Sequence, residues 1–237
     1  MLVVQEFQSQ ENCSYLKNKE QLTHYKVIKE CSIAYSQALI ERGYRRFGHM
    51  YFRPICSTCN ECQSIKIDVK NFQFSKSARR ILRKGEHLKI YIQKPTLTQK
   101  HLEIFDDYHR YMHHKKGWDY TPTTPQHYFN SFVAGAEDFG YEILYFEEEK
   151  LIAVDLIDIL EDGISSIYFY YNPLYSHLSL GKLSLYKQIQ LAEVNTKAWI
   201  YLGYYVKECP SLAYKAQYQP YLTLEGRPRE DDEVKWF

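Results

Sequence analysis

Three largely apolar runs, Glu142–Glu147, Leu151–Ile159 and Ser165–Tyr171, follow one another with only short breaks between them. An amphipathic stretch, Ser179–Val194, separates them from a fourth apolar run, Trp199–Val206. Short apolar runs bounded by turn residues suit strands, and Glu148-Glu149 and Asp162-Gly163 suit tight hairpin turns, so the three runs should pair antiparallel. The amphipathic stretch then has to lie as a helix on one face before a further strand joins. That order of elements restricts the second half of the chain to an α+β arrangement.

The first half is punctuated differently. Ser32 and Gly43 bracket a helix over 33–42, as N-cap and stop. Ile65, Ile67 and Val69 alternate as a strand does, as do Leu88, Ile90 and Ile92, while His24–Ile28 reads as a short extended run. A longer helix is expected over 98–116, with Leu102, Phe105, Tyr108 and Met112 on one face and Gly117 as its stop. His109 and His113 lie one turn apart on it, a spacing compatible with metal ligation but more often that of surface residues, and they are not put forward as ligands. The Pro/Thr-rich run Thr121–Pro125 forms a hinge before a helical stretch near 127–134. The expected organisation is therefore a basic first lobe, 1–120, and a second lobe, 121–237.

Between these elements lies Gly43–Cys62, which packs Arg45, Arg46 and Arg53 together with Cys56, Cys59 and Cys62. A guanidinium does not give up its charge, and burying one unpaired is costly, so each arginine must face solvent or hold an anion. The C-x2-C-x2-C spacing suits metal ligation, with Cys13 as a fourth ligand, and equally suits buried reduced thiols. The start MLVVQEFQSQ has neither the basic region nor the apolar run of a signal peptide, and no stretch is long enough to span a bilayer. The expectation is a cytoplasmic protein without membrane contact, in which the six cysteines stay reduced.

Charge is divided unevenly. Residues 1–116 carry 21 Lys and Arg against 11 Asp and Glu, whereas 117–237 carry 9 against 18. The basic half points to a polyanionic partner, and Ser75–Lys89, with six cations and one acid, is the segment best suited to nucleic-acid phosphates. Lys76, Arg79, Arg80, Arg83 and Lys84 are its candidate contacts.

The motifs fall in an order that resembles one family. Cys13-x-Tyr15-Leu16, Gly43-Tyr44-Arg45-Arg46-x-Gly48, Tyr51-x-Arg53-Pro54 and the cysteine triplet are followed by Ser75-x-Ser77-x-Arg79-Arg80 and Asp155 to Asp158. Tyr168-x-Tyr170, Ser179-Leu180-Gly181, Tyr201-Leu202-Gly203-Tyr204-Tyr205, Cys209 and Tyr214-Lys215 complete the series. Over nearly its whole length the chain is similar to the aminoacyl-tRNA–protein transferases of the N-degron pathway, in their bacterial aspartate/glutamate leucyltransferase branch. It departs from the family pattern at Lys17, Phe47 and Ser211-Leu212. The resemblance implies two acetyltransferase (GNAT)-like lobes with mixed, largely antiparallel sheets flanked by helices, and no bound coenzyme A. It also implies transfer of leucine from leucyl-tRNA to the N-terminal amine of proteins beginning with Asp or Glu, which marks them for degradation.

Roles follow from that chemistry. About a tenth of an α-amine is already neutral at pH 7, and holding amine and ester in attack geometry can supply about 7–11 kcal/mol, so positioning could replace a strong base. An apolar cavity for the leucyl side chain would complete the site. Asp158, and on the opposite strand face Asp155, are the candidate groups to orient or deprotonate the ammonium. Reading an acidic first residue suits arginine, which puts Arg45, Arg46 and Arg53 forward. No small-molecule cofactor is required; zinc or an iron–sulfur cluster at Cys13, Cys56, Cys59 and Cys62 is the alternative. Two other readings are an arginyl-tRNA donor and a non-catalytic tRNA-binding regulator with a cysteine metal site.

Overall fold

The computed structural model describes residues 2–237. Its first sheet has four antiparallel strands, β1 (Leu2–Asn12), β2 (Glu20–Lys29), β3 (Arg45–Phe47) and β4 (Met50–Pro54), in the order β1-β2-β4-β3. Helix α1 (Ile33–Glu41) joins β2 to β3; Ser32 caps it by accepting the Tyr35 amide, and Gly43 turns the chain at φ 83°. The arginine segment is thus a hairpin, β3 and β4 closed at Gly48-His49. Gly48 is required there: φ is 55°, and a Cβ would collide with the Asn130 carbonyl.

The second sheet has seven strands. Its members are β5 (Gln63–Asp68), β6 (Lys89–Gln93), β7 (Gly140–Glu147), β8 (Lys150–Ile159), β9 (Gly163–Tyr171), β10 (Trp199–Tyr205) and β11 (Tyr221–Thr223), in the order β11-β5-β10-β9-β8-β7-β6. Every pairing is antiparallel except β9 with β10. One face is covered by α2 (Lys76–Lys84) and, later in the chain, by a helix over 180–194. The other is covered by α3 (Gln99–Lys116), by α4 (Pro125–Tyr128) and by the turn that continues α4 to Val133. The helix over 180–194 is α5 (Leu180–Val194), and the short α6 (Pro210–Ala213) follows β10.

Two apolar cores result. Ile65, Ile152, Leu183, Ile189 and Ile200 pack beneath α2 and α5; Ile104, Phe105, Tyr128, Phe132, Val154 and Tyr170 pack beneath α3. The hairpins, α1, α3 and α5 match the sequence expectation closely. The lobe boundary at 120/121 does not hold, because β5 and β6 from the first half hydrogen-bond into the sheet built by the second. Ser179 stands at the start of α5 at φ 58°, without a side-chain cap bond.

Candidate active site

Strands β9 and β10 pair only from Gly163–Ser165 against Trp199–Tyr201 before they part. The parting is built into both. Ile167 is the extra residue in β9, where the register with β8 slips, and Leu202 is the extra residue in β10, where the register with β5 slips. Bulges of this kind bend a strand and re-aim its groups, and Gly203 allows the bend by adopting φ 74°. A wedge opens between the two strands.

A cation takes the carbonyl of each bulged residue. Arg45 Nη2 donates to Ile167 O at 2.9 Å, and Lys215 Nζ donates to Leu202 O at 2.8 Å and Tyr204 O at 2.7 Å. Arg45 lies so close to Gly203 that a Cβ there would collide with the guanidinium. Burial lowers the affinity of both cations for their protons, and Arg45 further holds the Lys215 amine well below its ordinary range. The hydroxyls around Arg45 are neutral: burial pushes Tyr15 up to about 12 and Tyr204 well above the usual phenol value.

Its neighbours in the arginine hairpin are occupied elsewhere. Adjacent residues on a strand point to opposite faces. Arg46 accordingly turns inward to Asp158, with Nε–Oδ2 at 2.8 Å and Nη2–Oδ1 at 2.6 Å, and its Nη1 donates to Gly48 O and Gly135 O. Both partners are buried, Asp158 completely. Its carboxylate is a structural clamp on the hairpin, shut away from any incoming ammonium, which corrects the expected catalytic role. Arg53 is likewise structural: it donates to Arg42 O at 2.9 Å and Pro228 O at 2.8 Å and stacks on Tyr44.

Asp155 faces α5, on the opposite side of β8 from Asp158, as alternation requires. Ser184 Oγ donates to it at 2.5 Å and Gln188 Nε2 at 2.8 and 3.0 Å. Burial pushes its carboxyl up to about 7, partly offset by these two donors. Fully enclosed between sheet and helix, it cannot touch substrate. Ser184 and Gln188 escaped the sequence reading, although polar residues four apart on an apolar helix face were the available signal.

A cavity of about 640 Å³ opens on the α3 side, walled by Phe47, Met50, Phe105, Phe132, His109 and Tyr168. It adjoins the wedge, because Phe47 follows Arg45 on the same face of β3 and Tyr168 follows Ile167 in β9. His109 Nδ1 donates to Phe105 O at 2.7 Å, which leaves Nε2 to accept from the Tyr168 hydroxyl at 2.7 Å. Burial lowers the His109 pKa, so the ring is neutral. His109 is a pocket residue on the α3 helix.

Lys76, Arg79, Arg80, Arg83 and Lys84 all project outward from α2, whose inner face packs Ala78, Ile81 and Leu82 against the core under α5. Cys13, Cys59 and Cys62 pack with Leu16, Val206 and Cys209 behind the wedge. Cys56 Sγ accepts the Leu22 amide, and Arg227 straps the loop through Cys56 O and Cys59 O. Burial, followed by the neighbouring Cys13, Cys56 and Cys59, pushes the Cys62 thiol up to about 12. Among the described residues no three His, Cys, Asp or Glu side chains form a group that could hold a metal. Among the same residues, no helix is long and apolar enough to cross a membrane.

The fold and site define a mixed α+β protein with a cationic wedge between two parallel strands beside an aromatic pocket, and with a basic helix on the α5 face of the sheet. Models of the arginine-tRNA-protein transferase N terminus and C terminus match residues 11–80 and 100–225, so the chain belongs to the aminoacyl-tRNA–protein transferase family. An aspartate/glutamate leucyltransferase of Campylobacter jejuni is 46% identical over 228 residues, 96% of this chain and 95% of its own. One of Helicobacter hepaticus is 42% identical over the same shares. Among solved structures, FemX aligns at a TM-score of 0.46 and 7% identity, over 77% of this chain and 63% of its own.

Proposed function

We propose that the protein transfers leucine from leucyl-tRNA to the N-terminal amine of proteins beginning with Asp or Glu, marking them for degradation in the cytoplasm. The reading is carried by the aromatic pocket beside the wedge, in a chain whose relatives over 96% of its length bear the leucyltransferase name. No Asp or Glu lines that pocket, which suits a leucyl side chain. The α2 face would hold tRNA phosphates on the other side of the sheet, and the wedge is where the two sides meet. Three antiparallel strands, a helix and a splayed parallel strand are the acetyltransferase-like plan, used here with an ester donor and without coenzyme A or another small-molecule cofactor.

In the reaction the neutral amine attacks the ester carbonyl, an amide C–N bond forms, and the C–O bond to the tRNA ribose breaks. The amine loses one proton and the departing ribose oxygen gains one. Asp158 and Asp155 are sealed from the wedge, so the gain comes from fixing the two reactants together. The test supplies leucyl-, phenylalanyl- and arginyl-tRNA with peptides beginning Asp, Glu, Arg or Lys. Leucine should pass to the Asp and Glu peptides; transfer to Arg or Lys peptides alone would sink the assignment.

A further inference from the structure

We propose that the floor of the β9/β10 wedge is the receptor for the side-chain carboxylate of the acceptor's first residue, held between the Arg45 guanidinium and the Lys215 ammonium. This deepens the transferase reading and rests on it. It also separates Arg45 from Arg46 and Arg53, whose side chains are committed to Asp158 and to backbone carbonyls.

Donor counting comes first. A guanidinium has five N–H groups and an ammonium three; Arg45 uses one on Ile167 O, and Lys215 uses two on Leu202 O and Tyr204 O, so the third N–H of Lys215 is the one carried with the proton that an incoming carboxylate stabilises. Both residues are partly open to solvent, and Tyr214 beside them is 45% exposed. Arg45 Nε and Nη1 have no hydrogen-bond partner among the described residues and are not among the fully buried unpartnered atoms, so these donors can be reached from outside.

Charge is the second argument. Among the described residues, neither cation has a carboxylate at salt-bridge distance; the acid that acts on Arg45 is Asp158, already bound by Arg46. Two cations crowded together without a counter-ion repel each other and oppose burial, and the neutral hydroxyls of Tyr15, Tyr204 and Tyr214 cannot cancel them. An incoming carboxylate removes that penalty. An amide of the same shape does not, so Asn and Gln should be rejected by a site built for an anion.

Geometry is the third. The two bulges aim Ile167 O and Leu202 O into the wedge, and those carbonyls hold the cations on opposite walls of it. A guanidinium fixed from one wall and a rotatable ammonium from the other can grip a carboxylate at two depths, which accommodates both Asp and Glu. Docking the side chain there leaves the α-amine a few bonds away, at the mouth shared with Tyr168 and the pocket.

The test titrates C-terminally labelled peptides beginning Asp, Glu, Asn or Gln against the full chain and against Lys215→Met and Lys215→Arg. Leucyl-tRNA binding is measured on the same preparations. The wild type should favour the acidic peptides by on the order of 10- to 100-fold, the worth of charge-assisted bonds. Lys215→Met should erase that preference and Lys215→Arg restore part of it, with leucyl-tRNA affinity unchanged. Equal binding of Asp and Asn peptides by the wild type overturns the proposal even if a variant fails to fold. So does a preference that survives Lys215→Met, including the case in which tRNA affinity falls and the pair serves a phosphate. If the acidic preference depends on Lys215 while no donor supports transfer, the receptor stands and the transferase reading falls.

Discussion

Asp155→Asn should stabilise the protein strongly at pH 8 and by only about 1 kcal/mol at pH 4.5. Asp155 is completely buried, and burial moves its carboxyl from the ordinary 3.8 to about 7. Between those values the folded protein retains a proton that the unfolded chain has released, so this group's contribution to stability is largest below about pH 4 and drains away as pH rises to about 7. At 1.36 kcal/mol per unit, the shift corresponds to ~4 kcal/mol. Asparagine has no charge to bury. Its oxygen can accept from Ser184 and Gln188, and Gln188 Oε1, buried with no partner, can take the new N–H after the amide turns. Urea unfolding of both proteins at pH 4.5, 6, 7 and 8 measures the difference, and groups titrating elsewhere cancel in it. A gap that stays constant with pH would refute the argument, as would a variant less stable than wild type at pH 8. Transfer by the variant should persist, because position 155 faces α5 and not the wedge.

Asp158→Ala strands Arg46 in the interior and should cost ~3–5 kcal/mol, seen as a large drop in Tm; a variant with native Tm and abolished transfer would return Asp158 to the chemistry. Paired Arg79→Glu and Arg80→Glu changes on exposed α2 should weaken leucyl-tRNA binding and lower the slope of log affinity against log salt by about 1 for each phosphate no longer neutralised, with folding unaffected. An unchanged slope would remove α2 from the tRNA surface. Gly203→Ala demands a left-handed alanine and drives its Cβ into Arg45, so it should lower stability by ~1–3 kcal/mol and reduce discrimination between Asp and Asn peptides. Thermal melts and peptide competition check it, and a fully discriminating variant would mean that Arg45 does not set the choice.

The helix stops, the hairpins and the strand order after position 140 were legible because local signals set them: Ser32, Gly43 and Gly117 mark ends, and short apolar runs separated by Glu148-Glu149 and Asp162-Gly163 mark paired strands. β1 was not, because both its faces are largely exposed and Leu2–Asn12 carries no burial pattern to read. The lobe boundary failed for a different reason. The pairing of β5 with β10 and of β6 with β7 joins segments far apart in the chain, and no local signal records such a partner.

The same limit governed the site. Alternation placed Asp155 and Asp158 on opposite faces, which holds, and from this a single cleft-facing acid was expected. β8 lies inside a seven-stranded sheet covered on both sides, so neither face of it opens on a cleft. Alternation likewise said that Arg45 and Arg46 must diverge, and the two directions proved to be an open wedge and a buried carboxylate. What distinguishes them is the slip of register at Ile167 and Leu202, a property of paired strands that no single strand's sequence displays. Lys215, thirteen residues beyond Leu202, reaches the wedge only because α6 and the turn after it fold back along β10. A counter-ion would have made Arg45 and Lys215 another internal clamp like Arg46 with Asp158, and the lack of one among the described residues makes them a receptor.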